Sequence, residues 1–424
     1  MPVYPRLLPV RQRLYSHPVP DLPAAVRSAL DRAVPAGIRP GARIALTAGS
    51  RGINNIAAIL KAAAEAVRER GGLPFVVPAM GSHGGATAQG QLELLREAFG
   101  VTSETMGCPV LSSMEVVELG RTPEHDLPVY VDEHVARADG ILVINRVKAH
   151  TDFSGPWESG LMKMVAIGLG KRAQAESVHA HGAWGLRVLM PEVAAAKLRM
   201  APVLGGLAIL EDGYDQTAEV VGIPAGRIAE EEPRLLERAK GFMARLPFEE
   251  LDLLLVDRIG KEISGAGLDP NVIGRKRILG EPEFESPRIE RIVLRDLTDD
   301  SHGNGIGVGL ADLITRRLHD RIDWSVTNTN SLVSGFTMRS AVPVVAANDR
   351  EAIETALFLL RRKRLETVTA ARVQDTLHLE RLLVSESLLP RVRSDSRLEI
   401  LGEPEELRFD REGNLVPDEV ARAK

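Results

Sequence analysis

Short apolar runs alternate with helix-patterned segments along this 424-residue chain, and that alternation constrains its fold more than any other feature. Strand-like runs occur at residues 43–47 (RIALT), 74–78 (PFVVP), 140–144 (GILVI), 206–210, 251–256, 291–294 and 343–346. Between them, residues 53–70 repeat apolar side chains at helical spacing and stop before Gly71-Gly72. Residues 87–99 read as a helix with Thr87 as N-cap, and 233–245, 309–319 and 350–365 also read as helices. Strands alternating with helices imply parallel βαβ units. The chain is too long for one ordinary core. The expected fold is therefore α/β: two α/β domains with mainly parallel sheets and an active site in the interdomain cleft. The domains are expected at 1–246 and 247–424, with the segment from about Glu380 packing back onto the first.

The net charge of −5 gives no broad basic field, so neither nucleic acid nor an anionic membrane is expected as a partner. No apolar run reaches the roughly 18–20 residues that cross a bilayer. The first twenty residues lack the apolar core of a signal peptide, and the protein is read as cytoplasmic. Cys108 is the single cysteine, which excludes an internal disulfide, a Cys-rich zinc site and an iron–sulfur cluster held by this chain alone. Any metal must use nitrogen, oxygen or cofactor atoms.

Ligands of open parallel sheets sit beyond the carboxyl ends of the strands. Three polar loops should emerge there. The first, Gly49-Ser50-Arg51-Gly52, offers small residues for close backbone approach and Arg51 for a two-pronged anion clamp. The second, Met80-Gly81-Ser82-His83-Gly84-Gly85, leaves the His83 imidazole accessible between glycines. The third runs from Asn145 to Gly155 and places His150 just beyond a strand, where it can meet His83. Paired histidines suit proton transfer near neutral pH, and a racemase needs an acid/base group on each face of its substrate. His125, His134, His302, His319 and His378 lack comparable settings.

Lys163 follows in an apolar, Gly-punctuated stretch. Burial there would lower its pKa and free the amine for covalent chemistry. Downstream, His179 or His181 can bind a metal, and composition leaves zinc open, with His150 or Asp152 helping. The run VKAHTDFSG…ESGLMKM…IGLGK…ESVHAHG, together with GSRGI and GSHGGAT, resembles the lactate racemase N-terminal domain family, in the family's own order and over most of the chain. The resemblance implies a racemase or epimerase of a 2-hydroxy acid. It implies a covalently attached nickel-pincer nucleotide (pyridinium-3,5-bisthiocarboxylic acid mononucleotide nickel), delivered by cofactor-synthesis enzymes. It further implies Lys163 as the thioamide tether, and His179 as the nickel ligand with His181 as the alternative. His83 and His150 are then the acid/base pair, with Gly49, Ser50 and Arg51 in the cofactor cradle. In the second domain the segment GAGLDPNVIGRKR puts Asp269 and Asn271 at family positions. It lacks the family's Tyr-Gln pair and offers Arg275, Lys276 or Arg277 where a substrate-binding lysine is expected. That departure turns the expectation from lactate toward another 2-hydroxy acid or a sugar acid.

Rival readings are a nicotinamide-type oxidoreductase, a zinc hydrolase built from His150, His179 and a carboxylate, and a non-catalytic anion-binding homologue. No GxGxxG with an acidic partner about twenty residues on supports the first. In the second domain, residues 296–307 form an acidic, Gly-rich loop suited to a ligand or to structure, residues 327–331 offer polar contacts, and Asp212-Gly213 reads as a turn.

Overall fold

A computed structural model describes residues 4–50, 52–361 and 364–417. The chain is α/β with mostly parallel sheets, and it divides into two compact units. One is Tyr15–Met243. The other joins the residues up to Leu14 with those from Ala244 onward.

The Tyr15–Met243 unit is built on a five-stranded sheet. From edge to edge its strands are Leu73–Pro78, Arg43–Ala48, Gly140–Arg146, Val203–Glu211 and Thr217–Pro224. The first four run parallel, and the fifth returns antiparallel as a hairpin that the sequence reading did not include. Helix Ile56–Glu69 buries Ile56, Ile59, Leu60, Ala63 and Val67, the i, i+3, i+4 stripe visible in the sequence. With helix Leu22–Ala33 it forms the core of one sheet face. The opposite face is covered by the segment from Leu161 to Met200 and by helix Ile228–Phe242. Thr87 does cap helix Ala88–Phe99, its side chain accepting from Gly90 N.

Helix Ile228–Phe242 begins before Pro233 and carries it in its interior, although the sequence suggests a helix starting at that proline. Proline has no N–H for the carbonyl of residue i−4, here Ala229. The Ala229 carbonyl instead accepts from Trp157 Nε1 at 3.0 Å. A tertiary donor thus replaces the local one.

The other unit carries an eight-stranded sheet. Its order is Val344–Ala346, Leu313–Thr315, Arg288–Leu297, Glu250–Ile259, Ala370–Val373, Arg381–Ser385, Leu7–Gln12 and Leu398–Ile400. The first five are parallel and the last three antiparallel. The first strand of the chain therefore lies in this sheet and not with the 1–246 segment to which the sequence reading assigns it. Likewise the segment after Glu380 pairs here, with Leu7–Gln12 on one side and Ala370–Val373 on the other. One expected helix differs: residues 309–319 hold the short strand Leu313–Thr315 before helix Arg316–Arg321. Residues 327–331 lie within helix Trp324–Ser334. Among the described residues no helix is long and apolar enough to cross a membrane.

Candidate active site

The strands Arg43–Ala48, Leu73–Pro78 and Gly140–Arg146 are parallel neighbours, so their following loops share one edge of the five-stranded sheet. The first two loops meet through a hydrogen bond between Ser50 Oγ and His83 Nδ1. Gly49 lies against Met164: a Cβ on it would stand 3.3 Å from the Met164 Cε and 3.5 Å from Asn145 Oδ1. The first loop thus reaches the segment that carries Lys163. Arg51 lies outside the described residues.

His83 is exposed at the tip of its loop. The loop is shaped by Gly84, whose φ of +65° is left-handed and whose absent Cβ would meet Gln91 N at 2.7 Å. Gln91 Nε2 donates to the carbonyls of Gly81 (3.0 Å) and His83 (3.2 Å). Behind Gln91 stands Lys171, fully buried, donating to Gln91 Oε1 at 3.0 Å and to the Pro78 carbonyl at 2.5 Å. Asp132 Oδ2 lies 3.1 Å from the same ammonium. Burial pushes the Lys171 pKa down, and Asp132 opposes that. In the sequence Lys171 stands only as the end of the IGLGK run, and a lysine closing an apolar, glycine-rich run is the one local signal of this role.

The third loop is organised by Glu158, which is buried. It accepts from His150 N at 2.6 Å and Gly155 N at 3.2 Å, and it pairs with Lys240 at 3.0 Å. Asp152 N lies 3.0 Å from His150 Nδ1 and the Asp152 carboxylate 3.7 Å from it, on the side of the ring away from Nε2. That nitrogen is 2.5 Å from Lys163 Nζ. Lys163 is half-buried and ends the helical turn Leu161–Lys163, which runs straight into the π-helical turn Met164–Gly168. Such turns recur at functional sites.

His179 closes helix Lys171–His179. As a residue it is open to solvent, yet the atoms around its ring desolvate it. That desolvation and the nearby Lys163 lower its pKa, while Asp152 works in the opposite direction. A histidine held toward its neutral form keeps a lone pair for a metal. His181 instead lies against the Trp184 ring, 5.8 Å between centroids. Among the described residues, the trio of ligand atoms close enough to share a metal is Glu124, His125 and Glu192; none belongs to these three loops.

In the other unit, Asp269 caps helix Pro270–Ile273 and accepts from Asn271 N (2.9 Å) and Nδ2 (3.0 Å). The Arg275 guanidinium is committed to Asp312 (2.8 Å) and to the carbonyls of Leu310, Ile289 and Glu290. Lys276 is buried with its ammonium 4.4 Å from the Phe284 ring centroid, and Arg277 reaches Asp312 at 3.4 Å. An open hollow of about 550 Å³ near Arg275 is lined by the first residues of Glu250–Ile259 and Arg288–Leu297. It therefore lies at the amino ends of those strands. The polar groups of the 296–307 loop have structural partners: Thr298 and Ser301 share a 2.8 Å hydrogen bond, Ser301 Oγ accepts from Lys261 N, and Arg321 binds Asp296 and Asp299.

No protein-family model matches the chain, and no curated protein sequence does. Among solved structures, the chain is similar to the lactate racemase apoprotein from Thermoanaerobacterium thermosaccharolyticum. The match has 11% identity and a TM-score of 0.41, over 68% of this chain and 74% of that one.

Proposed function

We propose that the chain is a racemase or epimerase of a 2-hydroxy acid that uses a nickel-pincer nucleotide tethered to Lys163. The contact of Lys163 Nζ with His150 Nε2, at 2.5 Å, carries this reading. Two nitrogen bases at that distance make no stabilising ion pair, and such arrangements are characteristic of reactive sites.

The residues present suit the group. Lys163 offers an amine at the mouth of a π-turn, and His179, drawn toward its neutral form, offers an imidazole nitrogen of the kind Ni(II) accepts. Gly49, Ser50 and Arg51 are assigned to its anionic parts. When bound, the nucleotide supplies reversible hydride acceptance, so the hydroxy acid passes through a 2-keto acid. The chain performs the proton chemistry. One imidazole takes the hydroxyl proton from one enantiomer, and the other returns a proton on the opposite face. His83 and His150 are assigned these roles. Asp152 orients the His150 ring through Nδ1, and Ser50 orients the His83 ring. Asp269 and Asn271 are assigned to substrate selection. Arg275, Lys276 and Arg277 are the basic residues assigned beside them, and Arg275 has its guanidinium on Asp312 and carbonyls.

The test is intact mass and nickel content of protein coproduced with the cofactor-synthesis enzymes. The expected result is an adduct on Lys163 and about one nickel per chain, both lost in Lys163→Ala. An unmodified mass, in cells where a lactate racemase control does load, rejects the reading.

A further inference from the structure

We propose that Glu232 is the positioning residue for Lys163, a role that rests on Lys163 being the reactive amine of the site. Glu232 projects from helix Ile228–Phe242 and is buried. Its Oε2 accepts from Met162 N at 2.8 Å, in the turn that carries Lys163. The first N–H groups of a helix need acceptors, usually supplied by a Ser, Thr, Asp or Asn at the cap. The cap residue here is Gly160, which has no side chain. The acceptor comes instead from a residue seventy positions away.

Gly160 and Glu232 are matched by shape. The Gly160 backbone is extended, with φ of 177°, and any residue can adopt it. Space is what demands glycine: a Cβ would lie 2.2 Å from Glu232 Oε1. That same Oε1 has no hydrogen-bond partner among the described residues, and burial pushes the Glu232 pKa up to about 7. A half-satisfied buried carboxyl is a poor choice if stability alone were at stake. Farther along, Lys197, also buried, donates to the Ala166 carbonyl at 2.8 Å and so fixes the π-turn just past Lys163.

The same helix also holds the partner of Lys163. Lys240 pairs with Glu158, and Glu158 accepts from His150 N. Positions 232 and 240 of one helix therefore set the two ends of the Lys163–His150 contact.

The experiment measures acetylation of the full-length, cofactor-free chain by acetic anhydride. Peptide mass spectrometry reads the rate at Lys163 relative to Lys61, an exposed lysine on helix Ile56–Glu69. Glu232→Ala and Gly160→Ala should each lower that ratio roughly tenfold or more, the scale on which a displaced reacting group loses rate. Glu232→Gln keeps an acceptor oxygen and should restore the wild-type ratio. Gly160→Ala should add nothing in a Glu232→Ala background. An unchanged ratio in Gly160→Ala, or a fall in Glu232→Gln as large as in Glu232→Ala, overturns the proposal. If Glu232→Ala fails to fold, the Gly160→Ala and Glu232→Gln arms still decide. Because no cofactor enters this assay, its failure is separate from failure of the tether assignment, which the adduct mass reads.

Discussion

The loop edge of the five-stranded sheet and the polar interior of the eight-stranded one arrange their cationic groups differently. In the latter, arginines interlock with aspartates. Arg295 binds Asp257 and Asp349 at 2.6 Å, Arg372 binds Asp257 at 2.9 Å, and Arg317 binds Asp349 at 3.1 Å. Asp349 also accepts from Leu415 N, fastening the chain's last described turn. In the former, Lys171 and Lys240 pair with Asp132 and Glu158, but Lys163 also meets a second nitrogen base, His150, and His179 feels the same lysine. Charge matching is what a buried network needs to be stable. Gathered bases cost electrostatic energy unless one is neutral, so their presence points to chemistry. The contrast separates polar residues that hold this protein together from those proposed to act.

The largest effect that tests the contrast is on activity. His83→Ala and His150→Ala should each retain the Lys163 adduct and lose about 10²–10⁴-fold in racemisation rate, measured by polarimetry on a panel of 2-hydroxy acids. Near-wild-type rates in His150→Ala would move that histidine from the reaction to the upkeep of its loop. Next in size is Asp349→Ala, which removes a buried carboxylate shared by two arginines and leaves them only Asp257 and Asp296. It should cost about 1–3 kcal/mol, the scale of losing hydrogen bonds to a charged group, read from urea unfolding of the signal from the eight-stranded unit. A loss below about 1 kcal/mol would mean the network behaves like a surface one, and the contrast would blur.

A smaller effect is expected from Trp157→Phe, which removes the donor to the Ala229 carbonyl. The cost should be about 1 kcal/mol, and hydrogen exchange should show the start of helix Ile228–Phe242 loosening first. Another effect concerns pH. Burial lowers the Lys197 pKa to about 7 from 10.5, so between those values the unfolded chain keeps a proton that the native chain has released. Stability contributed by this group is therefore present above about pH 10.5 and lost as pH falls through 7. Lys197→Met should flatten the rise in Tm between pH 7 and pH 9; an unchanged slope would show that Lys197 is hydrated and not buried.

The elements most legible in the sequence were those with local causes. Helix Ile56–Glu69 follows from its apolar stripe, Thr87 from capping chemistry, and the strands at Arg43–Ala48, Leu73–Pro78 and Gly140–Arg146 from short apolar runs. The placement of Ser50, His83 and His150 at one sheet edge also followed, because parallel βαβ order sends every second connection to the same side. Less legible were residues acting from a distance. Glu158, Lys171 and Glu232 look like ordinary charged residues in the sequence. Only their burial against loop backbones reveals them as organisers of the candidate site.

By itself, then, the sequence determined the α/β pattern, the three loops and the identity of the bases within them, since periodicity, capping and loop order are local properties. Tertiary structure alone decided that the first strand joins the eight-stranded sheet, that Pro233 sits inside a helix, and that Lys163 meets His150. Each of these depends on a partner far along the chain: a strand edge formed near residue 381, an indole at 157, a carboxyl at 232. The physical reason is shared. A backbone group or side chain that cannot be satisfied by its neighbours must be satisfied somewhere, and where that happens is fixed only when the chain has folded.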